Sequence, residues 1–493
     1  MGLISLILAG IAAVSPVDNA RVNDYIVKTA NPEVLQTFVA ENSLSIKPLI
    51  SYPNPSEEVL DRFGDIYIVD FSQNSSNDSL INVLPTLNGV IYVEQDRECE
   101  VEPVTEQSLL NSPIPDTSFS NPYIPNDPKF EDQWDKKEMN ADWAWNLSTG
   151  YNVPVAILDV GVNTKHEDLK GIINFDMSYN FYEDNKNIES GSNETHGTPV
   201  AGIVASEIDN EKGLAGVAGK CDLWILKVDD PEDGAVSTSA EIEALAYCGD
   251  KGARVISMSY GFNLPFQTEE NVINYCWEKG IFMTASVGNR GQENKPNYPS
   301  MYEHVMGVGA VDSDLQRVSS NYGSTVDIFA PGEGVLTTTL SGRYNLGWGT
   351  SFAAPQVAGL GALLFEEHPT WTPQQVWDKI IESSRTITLD IGDVKFPDAA
   401  KMLDIQTGIT EQPTIPVYQL DYNMALQSLQ YSLPANSQAR LDVFDVSGRL
   451  ADRGYISGQG SYSTGDLGSG VFFYQIQVNG QNYSGKFVNA DSR

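Results

Sequence analysis

Between residues 125 and 405 short apolar runs alternate strictly with amphipathic stretches, and that order leaves few folds open. VPVAILDV precedes a small-residue run opened by His196; then come DLWILKV, a helical pattern around EIEALAYCGDKG, ARVISMSYG, a second around ENVINYCWEKG, IFMTASVG and HVMGVGAV. Apolar strands separated by helices predict a parallel sheet covered on both faces, because each crossover must carry the chain back over a face of the sheet. Two longer helices close the segment, from 351 to about 367 and from 373 to 383. Thr372 is placed to cap the second, and Pro373 suits its first turn, where no N–H is needed.

The flanks read differently. Residues 21–102 predict a small α+β unit, with strands at 25–28, 65–71 and 90–94 and helices at 32–42 and 78–84. A stretch rich in Pro, Ser and Asn, 103–124, has linker chemistry. Beyond a second linker at 406–417, residues 418–493 turn all-β, with strands within 420–433 and at 439–444, 454–456, 471–478 and 483–488, enough for a β-sandwich. At the other end, residues 1–20 carry an apolar run from Leu3 to Val14, the length of a signal-peptide core and too short to span a bilayer. Export is expected, although no Lys or Arg precedes the run. No later run of ~18 apolar residues predicts a transmembrane anchor.

Lys and Arg total 30 against 66 for Asp and Glu, a formal charge of −36. Such a surface repels nucleic acid and anionic membrane, excluding both as partners. Four cysteines show no CxxC or CxxH spacing, so no zinc site is indicated; Cys248 and Cys276 either pair after export or stay as buried thiols.

Three residues carry the chemistry. Asp159 ends an apolar strand, and ligands bind at the carboxyl ends of parallel strands. His196 opens GTPVAGIVAS, a run small enough to lie close against a sheet. Ser351, after GWGT, begins a helix, where a hydroxyl meets a positive helix end. Singly Asp159 reads as a structural cap and Ser351 as an N-cap, and His196, one of four histidines, is weak evidence. Together they supply what a serine nucleophile needs: an imidazole to take its proton and a carboxylate to hold the imidazole. Attack creates an oxyanion, and Asn289 in SVGNRG can offer a side-chain amide beside the Ser351 N–H.

The segments DVGVNTKHEDL, HGTPVAGIVAS, VISMSYG, SVGNRG, NYPSMYEHVMGVGAV and GTSFAAPQVAGL resemble, in order, the successive blocks of subtilisin-like serine proteases (subtilases, peptidase S8). The resemblance covers about 125–405 and implies a three-layer α/β/α domain acting as a secreted serine endopeptidase on protein or peptide substrates through an acyl-enzyme. It implies Asp159, His196 and Ser351 as the triad and Asn289 in the oxyanion hole. Ser259, Tyr260 and Gly261 would pair with an extended substrate; Ser286, Val287, Gly288 and Asn297 would line the pocket for the side chain before the scissile bond. Small walls there predict room for apolar or aromatic side chains. Departures from the family pattern are Val160 after the aspartate, Pro199 in HGTP, Phe352 in GTSFA and Gln356 in PQVAG. Val160 removes a side-chain donor near Asp159.

The 21–102 unit resembles the family's inhibitor prodomain, which implies a zymogen cut between about 100 and 125. Asp127, Asp168 and Asp209 correspond to places where many relatives bind structural calcium, or are simply solvated acids in an acid-rich chain. The tail, with LDVFDVSGRL and a terminal KFV, resembles C-terminal sorting domains of the type IX secretion route of Gram-negative, Bacteroidetes-related bacteria. That implies the secretion machinery as a partner and a secreted or cell-surface location; the plainer reading is an accessory module. Two other functions fit the residues less well. An α/β-hydrolase esterase needs the order Ser, Asp, His and GxSxG, neither of which occurs at these positions. A silent subtilase scaffold acting as an adhesin would not need all four reacting groups.

Overall fold

Strand β6, Pro154–Asp159, runs PVAILD, and its side chains divide cleanly between the two faces of the sheet. Val155 and Ile157 join one apolar core, with Val200, Val204 and residues of the helix Thr350–Glu367. Ala156 and Leu158 join another, with Leu245, Cys248, Ile273 and Cys276 from the helices Thr238–Lys251 and Gln267–Glu278. A strand buried on both sides needs apolar residues at consecutive positions, which is why it reads as a run and not as an alternation.

A computed structural model describes residues 24–71, 80–99, 122–405 except Asn193 and Asp233, and the strands between 420 and 489. The predicted leader at 1–20 and the linkers at 103–124 (up to 121) and 406–417 lie outside the described residues. The central sheet has seven parallel strands, ordered β13-β12-β11-β10-β6-β8-β7. The others are β7, Tyr179–Asn180; β8, Asp222–Lys227; β10, Val255–Met258; β11, Phe282–Ser286; β12, Val305–Val311; and β13, Ile328–Pro331. Helices on each face make the expected three layers. The strand order reverses around β6, so its carboxyl end, Asp159, opens where a crevice forms between diverging connections.

Residues 24–99 form an antiparallel sheet, β2-β3-β1-β4, with helices Pro32–Glu41 and Glu57–Phe63. Its strands are β1, Asp24–Thr29; β2, Ser45–Pro48; β3, Ile66–Asp70; and β4, Val90–Gln95. Strand β2 and the second helix lie in a stretch where no element is predicted. In β3 the alternation is used fully: Val69 faces the unit's own core with Phe38, while Ile66 and Ile68 join the core of the two helices Thr238–Lys251 and Gln267–Glu278. Polar contacts finish this seam. Glu94 accepts from the Gln267 and Thr268 N–H groups (2.7 and 3.2 Å), and Asp96 from Ser239 N (3.0 Å), each at a helix start. A last short strand, β5 (Glu98–Cys99), pairs with β9 (Val236–Ser237).

The segment 409–493 is a separate compact unit. It holds two antiparallel sheets, one ordered Leu420–Asn423, Ser428–Ser432, Gln459–Ser463 and the other Leu450–Ser457, Gln438–Asp445, Gly470–Val478, Gln481–Asn489, with Leu429, Leu441, Val443 and Ile456 buried. All four cysteines are buried and unbridged; Cys248 and Cys276 are neighbours, yet both are free thiols. Among the described residues, no helix is long and apolar enough to cross a membrane.

Beneath the Ser259–Gly261 segment two carboxyls meet in the core. Tyr260 Oη donates to Glu241 and Tyr302 Oη to Glu269, both at 2.9 Å, and the two glutamates lie close enough for the charge of Glu269 to act on Glu241. Burial, then for Glu241 the charge of Glu269, pushes both upward, Glu269 from 4.5 to about 8. The pair keeps a proton that the unfolded chain would have lost. Its contribution to stability is therefore complete below the unfolded value of 4.5 and is lost as pH rises through about 8. The melting temperature should fall on going from about pH 5 to about pH 8 in the parent chain, and fall less in Glu269→Gln, whose amide cannot ionise. Scanning calorimetry across that range checks it.

Candidate active site

Asp159, at the end of β6, is 1% exposed, and both its oxygens face His196 Nδ1, at 2.9 and 3.0 Å. The Val160 N–H donates to Asp159 Oδ1 at 2.8 Å, so the main chain supplies a donor although the side chain at 160 cannot. His196 is the N-cap of the helix Gly197–Ala205, every residue of which is buried. The small residues make that approach possible: a Cβ on Gly197 would lie 2.0 Å from Gly161 O, and one on Gly202 2.2 Å from Thr338 Oγ1. Pro199 falls in the first turn, where its missing N–H costs no helical bond.

Ser351 is the second residue of the helix Thr350–Glu367, and its next neighbour Phe352 meets the His196 ring edge-on, centroids 6.5 Å apart. The hydroxyl donates to Ser259 O at 3.0 Å, and Ser259 Oγ donates back to Ser351 O at 2.9 Å. The second bond has a sequence cause. Pro355, inside the helix, has no N–H to give the carbonyl four residues earlier, that of Ser351. Ser259 fills the place. His196 Nε2 has no hydrogen-bond partner among the described residues, so the imidazole is held by Asp159 and open on its other nitrogen.

Asn289 follows β11. Its Oδ1 accepts from both the N–H and the hydroxyl of Thr350, at 2.8 and 2.9 Å, which fixes which way the amide turns. The same Thr350 hydroxyl accepts from Gly288 N at 3.1 Å, and Gly288 has φ +90°, a left-handed conformation that glycine adopts freely. A cleft runs from here. It is lined by Ser259, Tyr260, Gly261, Ser286, Gly288 and Asn297 of the predicted set, with Asn289 and Ser351 at one end. Val287 is not in the lining; its carbonyl takes Asn321 Nδ2 and its side chain is buried, beside Gly307. Asn297 donates to Ser286 O at 2.7 Å, packed so tightly on Gly261 that a Cβ there would sit 2.2 Å from its Nδ2. The cleft also holds Arg290 and Lys295, which no motif singles out.

A buried ion cluster supports Asp159 from the next strand. Lys227, its register partner in β8, gives Nζ to Asp229 (2.7 and 2.8 Å), Glu194 (2.6 Å) and the Val160 carbonyl (3.2 Å). Burial pushes Asp229 up to about 7 despite Lys227. Within the sequence its only signal is a lysine at the end of an apolar strand.

Asp127, Asp168 and Asp209 surround one loop and spend their oxygens on protein donors. Asp127 takes Asp209 N and Asn210 N (2.9 and 3.2 Å); Asp168 takes Leu214 N and Asn210 Nδ2 (2.8 and 3.0 Å); Asp209 takes the Tyr123 hydroxyl and Asn126 N. Burial raises Asp127 to about 6 and also raises Asp168. Among the described residues no three His, Cys, Asp or Glu side chains gather as a metal site, so the carboxylates present fit loop-tying better than a calcium cage.

An aspartate-held imidazole and a helix-start serine, on the carboxyl edge of a parallel sheet, define the class: a serine hydrolase. Comparison with known proteins narrows it. Residues 150–408 match the model of the Subtilase family, Peptidase S8. The chain is 36% identical over 270 residues to the thermophilic serine proteinase of Bacillus sp. strain AK1, covering 54% of this chain and 66% of that one. To thermitase of Thermoactinomyces vulgaris it is 35% identical over 244 residues, 49% of this chain and 85% of that one. A solved protease from Pseudoalteromonas arctica superposes with a TM-score of 0.52 at 29% identity, covering 57% of this chain and 98% of its own. The chain belongs to the subtilase family, whose members are serine endopeptidases.

Thr350 is the residue on which the Asn289 amide depends. Thr350→Val removes the hydroxyl while keeping the shape and the N–H. With Asn289 as the oxyanion donor, we expect kcat to fall about tenfold with KM nearly unchanged, because such a donor acts on charge that develops only in the transition state. Steady-state kinetics on a peptide amide checks this; an equal rise in KM would mean that the threonine instead shapes the pocket.

Proposed function

We propose that the protein hydrolyses internal peptide bonds with Asp159, His196 and Ser351 as its triad, and that it is made as an exported zymogen. The observation carrying this reading is the paired Asp159–His196 contact, with Nε2 unpartnered and Ser351 one residue from the ring's neighbour Phe352. When a substrate carbonyl enters, the Ser351 hydroxyl leaves Ser259 O and gives its proton to Nε2 as Oγ attacks the carbonyl carbon. The Asn289 amide and the Ser351 N–H, the latter in a first turn that supplies no helical acceptor, receive the oxyanion. The C–N bond then breaks, the imidazolium returns its proton to the departing amine, and water repeats the sequence on the acyl-enzyme.

The contacts of 24–99 support a prodomain role: β5 pairs with β9, and Cys99 is buried with its thiol against the Gly261 N–H, beside the cleft. The segment 409–493 is proposed as the sorting unit, recognised by type IX secretion machinery of a Gram-negative, Bacteroidetes-like cell. Its compactness as a separate unit supports that role.

A fluorophosphonate probe should label the parent chain and leave Ser351→Ala unlabelled. Failure to label the parent would leave the silent-scaffold reading. Asn289→Ala should lose ~10²–10³ in kcat, a range known from a subtilisin and so from a relative of this chain. In Ser351→Ala the exported protein should keep its 24–99 unit on the same chain, whereas the parent should be cut between about 100 and 125; intact mass spectrometry reads both.

A further inference from the structure

The cleft beside Ser351 is lined by two cations, Arg290 and Lys295, and by no carboxylate. In a chain where acids outnumber bases 66 to 30 that is a local reversal of charge. It is also an unspent one. Several buried or partly buried cations elsewhere are neutralised: Lys227 by Glu194 and Asp229, Lys136 by Asp135, Arg385 by Glu138, and Arg317, near the same loop, by Asp390. Among the described residues neither Arg290 nor Lys295 makes an ion pair. Lys295 is half-buried and Arg290 exposed, so the first would lose part of its hydration without a charge in return.

The remaining walls are polar too. Asn263, Asn297 and Asn321 contribute amides, with serines at 259 and 286. An aromatic or aliphatic side chain entering there would strip water from polar groups and give nothing back; a carboxylate would be received by charge and hydrogen bonds. The chain's own sequence agrees. After Cys99, whose thiol meets the backbone of the cleft residue Gly261, come Glu100, Val101 and Glu102.

We propose that this cleft selects an acidic side chain, glutamate or aspartate, immediately before the scissile bond, with Lys295 and Arg290 as the receiving cations. The inference deepens the endopeptidase reading and rests on it. It also replaces the expectation of an apolar or aromatic preference.

The test uses the full chain after it has processed itself, with active sites counted by fluorophosphonate labelling. A series of fluorogenic tetrapeptides differing only in the last residue, Glu, Gln, Leu, Phe or Lys, is compared by kcat/KM. Glu should exceed its isostere Gln by about tenfold at low ionic strength, and the ratio should shrink several-fold at about 0.5 M salt. The double variant Arg290→Glu with Lys295→Glu should turn the preference toward Lys. A labelled enzyme that cleaves after Leu or Phe faster than after Glu would overturn the pocket assignment and leave the hydrolase standing. Neither labelling nor cleavage of any peptide would remove the hydrolase, and the pocket assignment with it.

Discussion

Burial of β6 on both faces is the constraint from which the site follows. A strand with apolar side chains above and below cannot place a carboxylate anywhere along its length, since an unpaired buried charge is costly. Only its carboxyl end is available, and there Asp159 finds His196, the Val160 N–H and, one strand over, the Lys227 cluster that holds the Val160 carbonyl. His196 comes from the connection between β7 and β8, Val160 from the residue after β6, and Lys227 from the end of β8. The arrangement therefore exists only when the whole parallel sheet is closed.

The same edge explains how a seam with the 24–99 unit reaches the chemistry. That unit lays Ile66 and Ile68 on the core of two helices, while Glu94 and Asp96 meet the exposed N–H groups at their starts. Those helices carry Glu241 and Glu269, the carboxyl pair beneath Tyr260. Contact at the seam and the placing of the Ser259–Gly261 segment thus share one buried network.

Much of this was legible in the sequence because it depends on period and order. Continuous apolar runs marked β6, β10 and β11, small residues marked the helix after His196, and Thr372 with Pro373 marked the last long helix, whose capping box is present. What was not legible depends on distance in space. Thr350 is silent in sequence, yet it turns the Asn289 amide; Lys227 looks like any strand-end lysine until Asp229 and Glu194 close on it. Val287 lies between two lining residues, yet its side chain is buried beside Gly307. The cations at 290 and 295 lie in a loop without periodicity, so nothing local separates them from surface charge. Strand β2 and the helix Glu57–Phe63 were missed for the related reason that short elements carry too little pattern.

Pro355 has a reach beyond its own helix. By withholding one amide hydrogen it hands the Ser351 carbonyl to Ser259, and two crossed bonds then clamp the strand that would grip a peptide to the turn that bears the alcohol. On the proposed function, recognition and reactivity are in this way geared together. A sequence change that tilts the gripping strand, even far from the imidazole, would be transmitted to the alcohol as a change of aim, so substrate preference and turnover in this chain should drift jointly under mutation instead of evolving as independent traits.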